Sequence, residues 1–267
     1  MIRRTLPLVQ MATFAILLPD NDRGGMPSPI GTGFFISSDG WFATAAHVVT
    51  ENNESSGEPR KDISSGFLQK ESRAMMDPGA MCQFFELDLV IPQLDLALMK
   101  VDFEKNAEKA WLEGRSDFPN IKVSTRDLEE AEPVYSFGYP LSHSQLLVDG
   151  PVKVGGTSLS PRVTSAIVSS TLEKTTMVST SHDPKHYVLD KALNYGNSGG
   201  PILATSTGYC HAFCSRFQPQ FVPQSHIKDD SGQPLMVMSP SLYGVVVSMN
   251  NPAIINELRK RGIEFIE

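Results

Sequence analysis

The chain has 267 residues, 40% of them hydrophobic and 20% charged, and a formal net charge of −7. That length suffices to bury a sizeable core without a second module. An acidic balance with no long basic run argues against nucleic acid as a partner, and no stretch approaches the about 20 apolar residues that would point to a membrane.

Arg3 and Arg4 precede a mostly apolar stretch from Leu6 to Leu18, the outline of a secretory signal. Pro7 and Gln10 interrupt it, and Pro19-Asp20-Asn21-Asp22 stands where small residues would mark cleavage, so Met11 to Leu18 is read instead as the first strand. Gly31 to Ser37 reads as a strand, Ser38-Asp39-Gly40 as a hairpin turn and Trp41 to Thr44 as the return strand, which delivers Ala45-Ala46-His47-Val48-Val49. A lone histidine just past a strand end is most often a core or surface residue. Glu51 to Ala80, rich in Glu, Asn, Ser, Gly and Lys, is either a solvated loop or a partner-binding surface.

Leu94-Asp95-Leu96-Ala97-Leu98 places a carboxylate in an alternating apolar run, where a buried charge is costly unless donors meet it. An imidazole N–H is such a donor. Asp88, in Leu87-Asp88-Leu89, is the competing carboxylate. Asp102 to Glu132 is polar and reads as a crossover, and Leu141 to Pro161 as a second long loop.

Asn194-Tyr195-Gly196-Asn197-Ser198-Gly199-Gly200-Pro201-Ile202 brackets one serine with glycines between apolar segments. Acyl transfer needs a nucleophile together with backbone N–H donors about 2.7–3.1 Å from the developing oxyanion, and one tight turn aims the amides of Gly196 and Ser198 at a common point. An ordinary structural turn is the alternative, because Ser and Gly cluster in turns. The chain order His47, Asp95, Ser198 is that of chymotrypsin-like proteases rather than of subtilisins or α/β-hydrolases. Beyond the turn, Tyr209 to Arg216 reads as a strand, Gln218 to Pro240 as a loop and Leu242 to Ser248 as the last strand. Asn250 or Asn251 caps a final helix, with Pro252 at its first position, Ile254, Ile255 and Leu258 on one face and Gly262 as the stop.

These motifs together resemble a trypsin-fold serine peptidase of the HtrA/Deg type. Val134-Tyr135-Ser136-Phe137-Gly138-Tyr139-Pro140 is similar to the strand that opens the family's second barrel, and Val163 to Ser169 to its next strand. Asp-Leu-Ala-Leu at Asp95 matches the family pattern where Asp88 does not, and Asp190 and Asn194 match positions on the approach to the nucleophile. The resemblance implies an all-β fold of two packed six-stranded β-barrels with a C-terminal α-helix, in one domain over 1–267. Barrel one would run over about 11–101, the crossover over about 102–132, barrel two over about 133–249 and the helix over about 251–262. It leaves no room for the PDZ domain that many relatives carry.

It also implies a His47–Asp95–Ser198 triad, an oxyanion hole from Gly196 and Ser198, and peptide or protein as substrate. No cofactor is expected. Ala192, six residues before Ser198, falls at the base of the primary specificity pocket, with Cys214-Ser215-Arg216 on one wall and Gly244 on another. Ala192 offers no counter-charge to Lys or Arg, so an apolar side chain before the scissile bond is the first expectation, with an acidic one through Arg216 the alternative. Digestive trypsins carry an aspartate where this chain has Asn197, so activity is expected to depend on ordering of Lys191 to Asn197, or on a regulatory protein partner, rather than on cleavage of the chain. Two readings compete: a trypsin-fold binding module without catalysis, and a metal site at Cys210-His211-Ala212-Phe213-Cys214 that lacks a fourth ligand. Cys82, Cys210 and Cys214 form an odd set, and His47 has no neighbouring cysteine; both point to a reducing cytoplasm.

Overall fold

The computed structural model describes residues 2–20, 26–51, 57–60, 65–68, 80–83, 85–101, 117–140, 143–149, 152–172, 183–191, 193–217, 220–239 and 243–267. The first strand is preceded by a helix, α1 (Ile2–Ala12), where a strand from Met11 was expected. Ile2, Leu6, Val9 and Ala12 recur at helical spacing and turn toward the core, while Arg3, Arg4, Pro7 and Leu8 face outward. Pro7, which by itself argues against a helix, lies on the exposed side. The Thr5 hydroxyl meets the Tyr135 hydroxyl at 2.6 Å, so α1 is fastened to the second half of the molecule.

Seven strands then form one sheet: β1 (Thr13–Asp20), β2 (Met26–Phe35), β3 (Trp41–Ala45), β4 (Ser65–Leu68), β5 (Ala80–Gln83), β6 (Phe85–Ile91) and β7 (Leu96–Val101), in the order β5-β4-β1-β2-β3-β7-β6. A four-residue helix, α2 (Ala46–Val49), follows β3. The β2–β3 turn is tied by Ser37, whose hydroxyl donates to Asp39 Oδ1 at 2.5 Å and accepts from Trp41 N at 3.0 Å. Inside, Phe14 packs on Phe35 and Phe42 with ring centroids 5.1 and 4.9 Å apart, an aromatic knot in the core of this unit.

After the short β8 (Val123–Ser124), the second unit uses β9 (Pro133–Gly138), β12 (Arg162–Leu172), β13 (His186–Leu189), β14 (Pro201–Ala204), β15 (Cys210–Phe217) and β18 (Gly244–Ser248). They pair as β14-β9-β12-β13-β18-β15, and β15 returns to β14, closing a six-stranded barrel. Its interior holds Leu128, Val134, Val168, Tyr187, Leu189, Ile202 and Cys214. β8 and β19 (Phe265–Ile266) extend the sheet in parallel pairing.

Glu51 to Ala80, expected first as a loop, carries β4, and two further stretches expected as loops carry hairpins: β10 (His143–Asp149) with β11 (Val152–Ser158), and β16 (Gln220–Lys228) with β17 (Pro234–Ser239). In the second, Asp229 Oδ1 accepts from the Ser231 amide, the Ser231 hydroxyl and the Gln233 amide, a side-chain turn that joins the strands. The C-terminal helix α3 (Pro252–Lys260) forms as expected, with the Asn251 side chain accepting from Ala253 N at 2.9 Å and Pro252 at the first position. No helix among the described residues is long and apolar enough to cross a membrane.

Candidate active site

β3 ends at Ala45 opposite Leu96 of β7, and the single turn of α2 presents His47 beside Asp95. Asp95 closes a 3-10 turn over Pro92–Leu94 in the left-handed region, with φ of 49°, a conformation that aspartate tolerates better than most residues. Its carboxylate is buried and surrounded by donors. Oδ2 accepts from His47 Nδ1 at 2.9 Å and from the Ser215 hydroxyl at 2.6 Å, while Oδ1 accepts from the His47 backbone N–H at 3.0 Å. The Asp95 carbonyl accepts from Ala46 N at 2.8 Å, so the turn and α2 are locked together. Because a carboxylate only accepts, Nδ1 carries the proton, and in the neutral ring Nε2 is left as the base.

The serine turn approaches from the second barrel. A Cβ on Gly31 would lie 2.6 Å from Val48 Cγ1 and 3.2 Å from the Ser198 carbonyl oxygen, so the backbone of Ser198 rests close to the helix that carries His47. Gly196 has φ of +94°, and a side chain there would run into the Tyr139 carbonyl, so glycine is required on both counts. Asn197 N donates to Asn194 O at 3.0 Å, Gly199 N to Cys214 O at 2.7 Å and Gly200 N to Asn197 O at 2.8 Å. Among the described residues, the amides of Gly196 and Ser198 have no acceptor. The Ser198 hydroxyl makes no hydrogen bond among them either, to His47 or to any other group. Such contacts often tighten only when substrate binds.

The other sequence-nominated residues separate. Asp88 binds Arg261, whose Nε donates to it at 2.8 Å, and Arg261 also lies over the Trp41 ring at 5.3 Å and holds Glu257 of α3. The competing carboxylate is therefore occupied away from His47. Asp190 Oδ1 accepts from Ile167 N at 2.8 Å. Asn197 is buried, with its Oδ1 against Gly138.

Of the pocket set, Ala192 lies outside the described residues. Gly244 sits against Leu193 and Lys191, where a Cβ would come within 2.9 Å of each. Cys214 turns into the barrel core beside the Ser136 hydroxyl, and burial pushes its thiol up to about 12. Ser215, offered by sequence only as pocket wall, turns its hydroxyl to Asp95. Arg216 is exposed, and burial together with the charge of Arg216 holds His186 below the ordinary histidine range.

Cys210, His211 and Cys214 do not converge. Cys210 Sγ donates to Ala212 O at 3.1 Å and belongs to the larger core cluster, whereas His211 Nδ1 meets the Arg126 carbonyl at 2.9 Å. A metal site there finds no support in this arrangement.

An imidazole–carboxylate pair on one strand unit, with the backbone of a glycine-bracketed serine turn from a closed barrel packed beside it, is an arrangement of the chymotrypsin-like peptidase class. The chain belongs to the trypsin-like peptidase domain family, whose model matches residues 31–211. Serine protease HTRA1 of Xenopus tropicalis is 27% identical over 223 residues, which are 78% of this chain and 38% of that protein. Serine protease HTRA4 of Homo sapiens is 29% identical over 182 residues, 67% of this chain and 28% of the relative. The chain thus spans less than half the length of these relatives. Among solved structures, the HtrA-type protease AlgW with a decapeptide superposes with a TM-score of 0.53 at 16% identity, covering 88% of this chain and 52% of that one.

Proposed function

We propose that the protein is a serine endopeptidase of the HtrA type. Ser198 Oγ attacks the scissile carbonyl, His47 Nε2 takes its proton, and Asp95 holds the ring and stabilises the imidazolium. The amides of Gly196 and Ser198 receive the oxyanion. Collapse of the tetrahedral intermediate expels the amine, protonated by His47, and leaves an acyl-enzyme on Ser198, which water, activated by the same imidazole, hydrolyses.

The observation that carries this reading is the Asp95 carboxylate, held jointly by His47 and Ser215 across the two units. A buried charge of this kind is costly unless it is fully hydrogen-bonded. A purely structural role would not call for an imidazole whose second nitrogen stays available. Peptide is the proposed substrate class, as AlgW was solved with a decapeptide. The proposed preference before the scissile bond is apolar, because no acidic side chain lies among the described pocket residues. An acidic preference through the exposed Arg216 is the alternative. The free, buried thiols of Cys210 and Cys214 suit a cytoplasmic setting.

The test is labelling by a fluorophosphonate, in wild type and in Ser198→Ala, followed by cleavage of a peptide library. Labelling and cleavage are expected in wild type and neither in the variant. Equal labelling of both removes Ser198 from the role, and a strict preference for Lys or Arg overturns both specificity readings.

A further inference from the structure

Thr32 lies in β2, in the first unit, yet its polar atoms are committed mainly to the second. Its N–H donates to the Ser198 carbonyl at 2.8 Å, and its hydroxyl donates to the Gly196 carbonyl at 2.6 Å while accepting from Tyr139 N at 3.2 Å. Its own carbonyl accepts from the Thr44 hydroxyl at 2.9 Å, which ties it back to β3 just ahead of His47. The residue is fully buried, so no water replaces a lost partner cheaply.

These bonds bracket the nucleophile. The carbonyls of Gly196 and Ser198 point to Thr32, and the Asn197 carbonyl is held by Gly200 N. The Gly196 carbonyl shares its peptide plane with the Asn197 N–H and the Asn197 carbonyl shares its plane with the Ser198 N–H, so these bonds fix two consecutive peptides: the Ser198 amide directly, and the Gly196 amide through the Gly196 Cα that joins it to the first of them. Gly196 is the weak point of the turn, because glycine at positive φ has no side chain to restrain it.

We infer that the Thr32 hydroxyl is a positioning residue for the oxyanion hole, by which the first unit sets the conformation of a turn that belongs to the second. The inference rests on the peptidase reading above. A hydroxyl in that place holds Gly196 O, whereas a methyl of the same size leaves both Gly196 O and Tyr139 N buried without a partner. The Gly196–Asn197 peptide is then free to rotate about the Gly196 Cα, which turns the Gly196 N–H on the other side of that carbon off the oxyanion.

The experiment compares Thr32→Val, Thr32→Ala and Thr32→Ser on a peptide substrate, with Ser198→Ala as control. Removing an oxyanion donor outright costs about 10²–10³ in turnover, and misplacing one is expected to cost about 10- to 100-fold in kcat with KM within about twofold. Thr32→Ser, which keeps the hydroxyl, restores kcat to within about threefold. Affinity for a peptide boronate that mimics the tetrahedral intermediate falls in step with kcat/KM in the Val and Ala variants. Folding is checked by thermal melting, and Thr32→Ala serves if Thr32→Val does not fold. If either folded variant keeps kcat within twofold while Ser198→Ala is dead, the inference is wrong and the peptidase reading stands. If Thr32→Ser is as impaired as Thr32→Ala, the hydroxyl is not the cause and the inference again falls. A Ser198→Ala protein that still cleaves overturns the peptidase reading itself.

Discussion

On the first strand unit, donors converge on one charged group: His47 contributes ring and backbone N–H, and Ser215 adds its hydroxyl. On the second, the turn at Ser198 is held by its carbonyls while two amides have no acceptor among the described residues. The first half is an electrostatic construction, in which loss of a partner strands a buried charge. The second is a conformational one, in which the same atoms lose their use if one peptide rotates. Chemistry at the first half depends on protonation and at the second on backbone angles.

The sharpest way to break the comparison is Asp95→Asn. The amide can no longer hold Nδ1 as the donor, and turnover on a peptide substrate should fall about 10⁴-fold, as in a serine protease with the equivalent change, with little loss of substrate affinity. A near-wild-type rate would remove Asp95 from the mechanism. Gly196→Ala probes the other half. The added methyl meets the Tyr139 carbonyl and the backbone is held at a φ that alanine disfavours, so we expect about 10²- to 10³-fold lower kcat from a displaced amide and a loss of about 1–3 kcal/mol in unfolding free energy. Wild-type turnover and stability together would show that the turn tolerates what its geometry forbids.

The smallest effect concerns neither half directly. His211 is buried, its Nδ1 engages the Arg126 carbonyl and its Nε2 has no partner among the described residues, and burial holds its pKa below the ordinary 6.5. The folded state therefore keeps the ring neutral while the unfolded chain takes up a proton as pH drops below that value. Stability should decline as pH falls below about 6.5 and be level above it. His211→Gln should flatten that decline in urea titrations at pH 7.5, 6.0 and 5.0. His186, also held below the usual range, contributes in the same direction. Asp127 acts in a separate window: its carboxylate is held below 3.8, by bonds from Asn250, Lys185 and Tyr187 that outweigh its desolvation, so its contribution is lost only in stronger acid.

The three residues of the proposed triad were legible because chain order and local pattern carry them: a strand end, an apolar run and a glycine-rich turn. Ser215 was visible only as a pocket residue, since its bond to Asp95 joins positions that lie 120 apart in sequence. Thr32 was hidden for the same reason, its hydroxyl pairing with Gly196 across 164 positions. Helix α1 was missed because Pro7 and the strand-like Thr13–Leu18 run drew the boundary inward, while the spacing Ile2, Leu6, Val9 carried the helical signal. Cys210 and Cys214, of equal parity in one strand, pack in different clusters, and the β14–β15 register shift that falls between Cys210 and Ala212 breaks the alternation between them.

Arg261 follows α3 at the far end of the chain, yet it bonds Asp88 of β6 and lies over Trp41 of β3. A pulling force applied at the C-terminus would therefore be shared with the first unit before the helix could peel away. Exposed ion pairs are weak singly, but loaded in series with the Glu257 contact and the Trp41 stacking, they give the last helix a mechanical route to the sheet that carries His47.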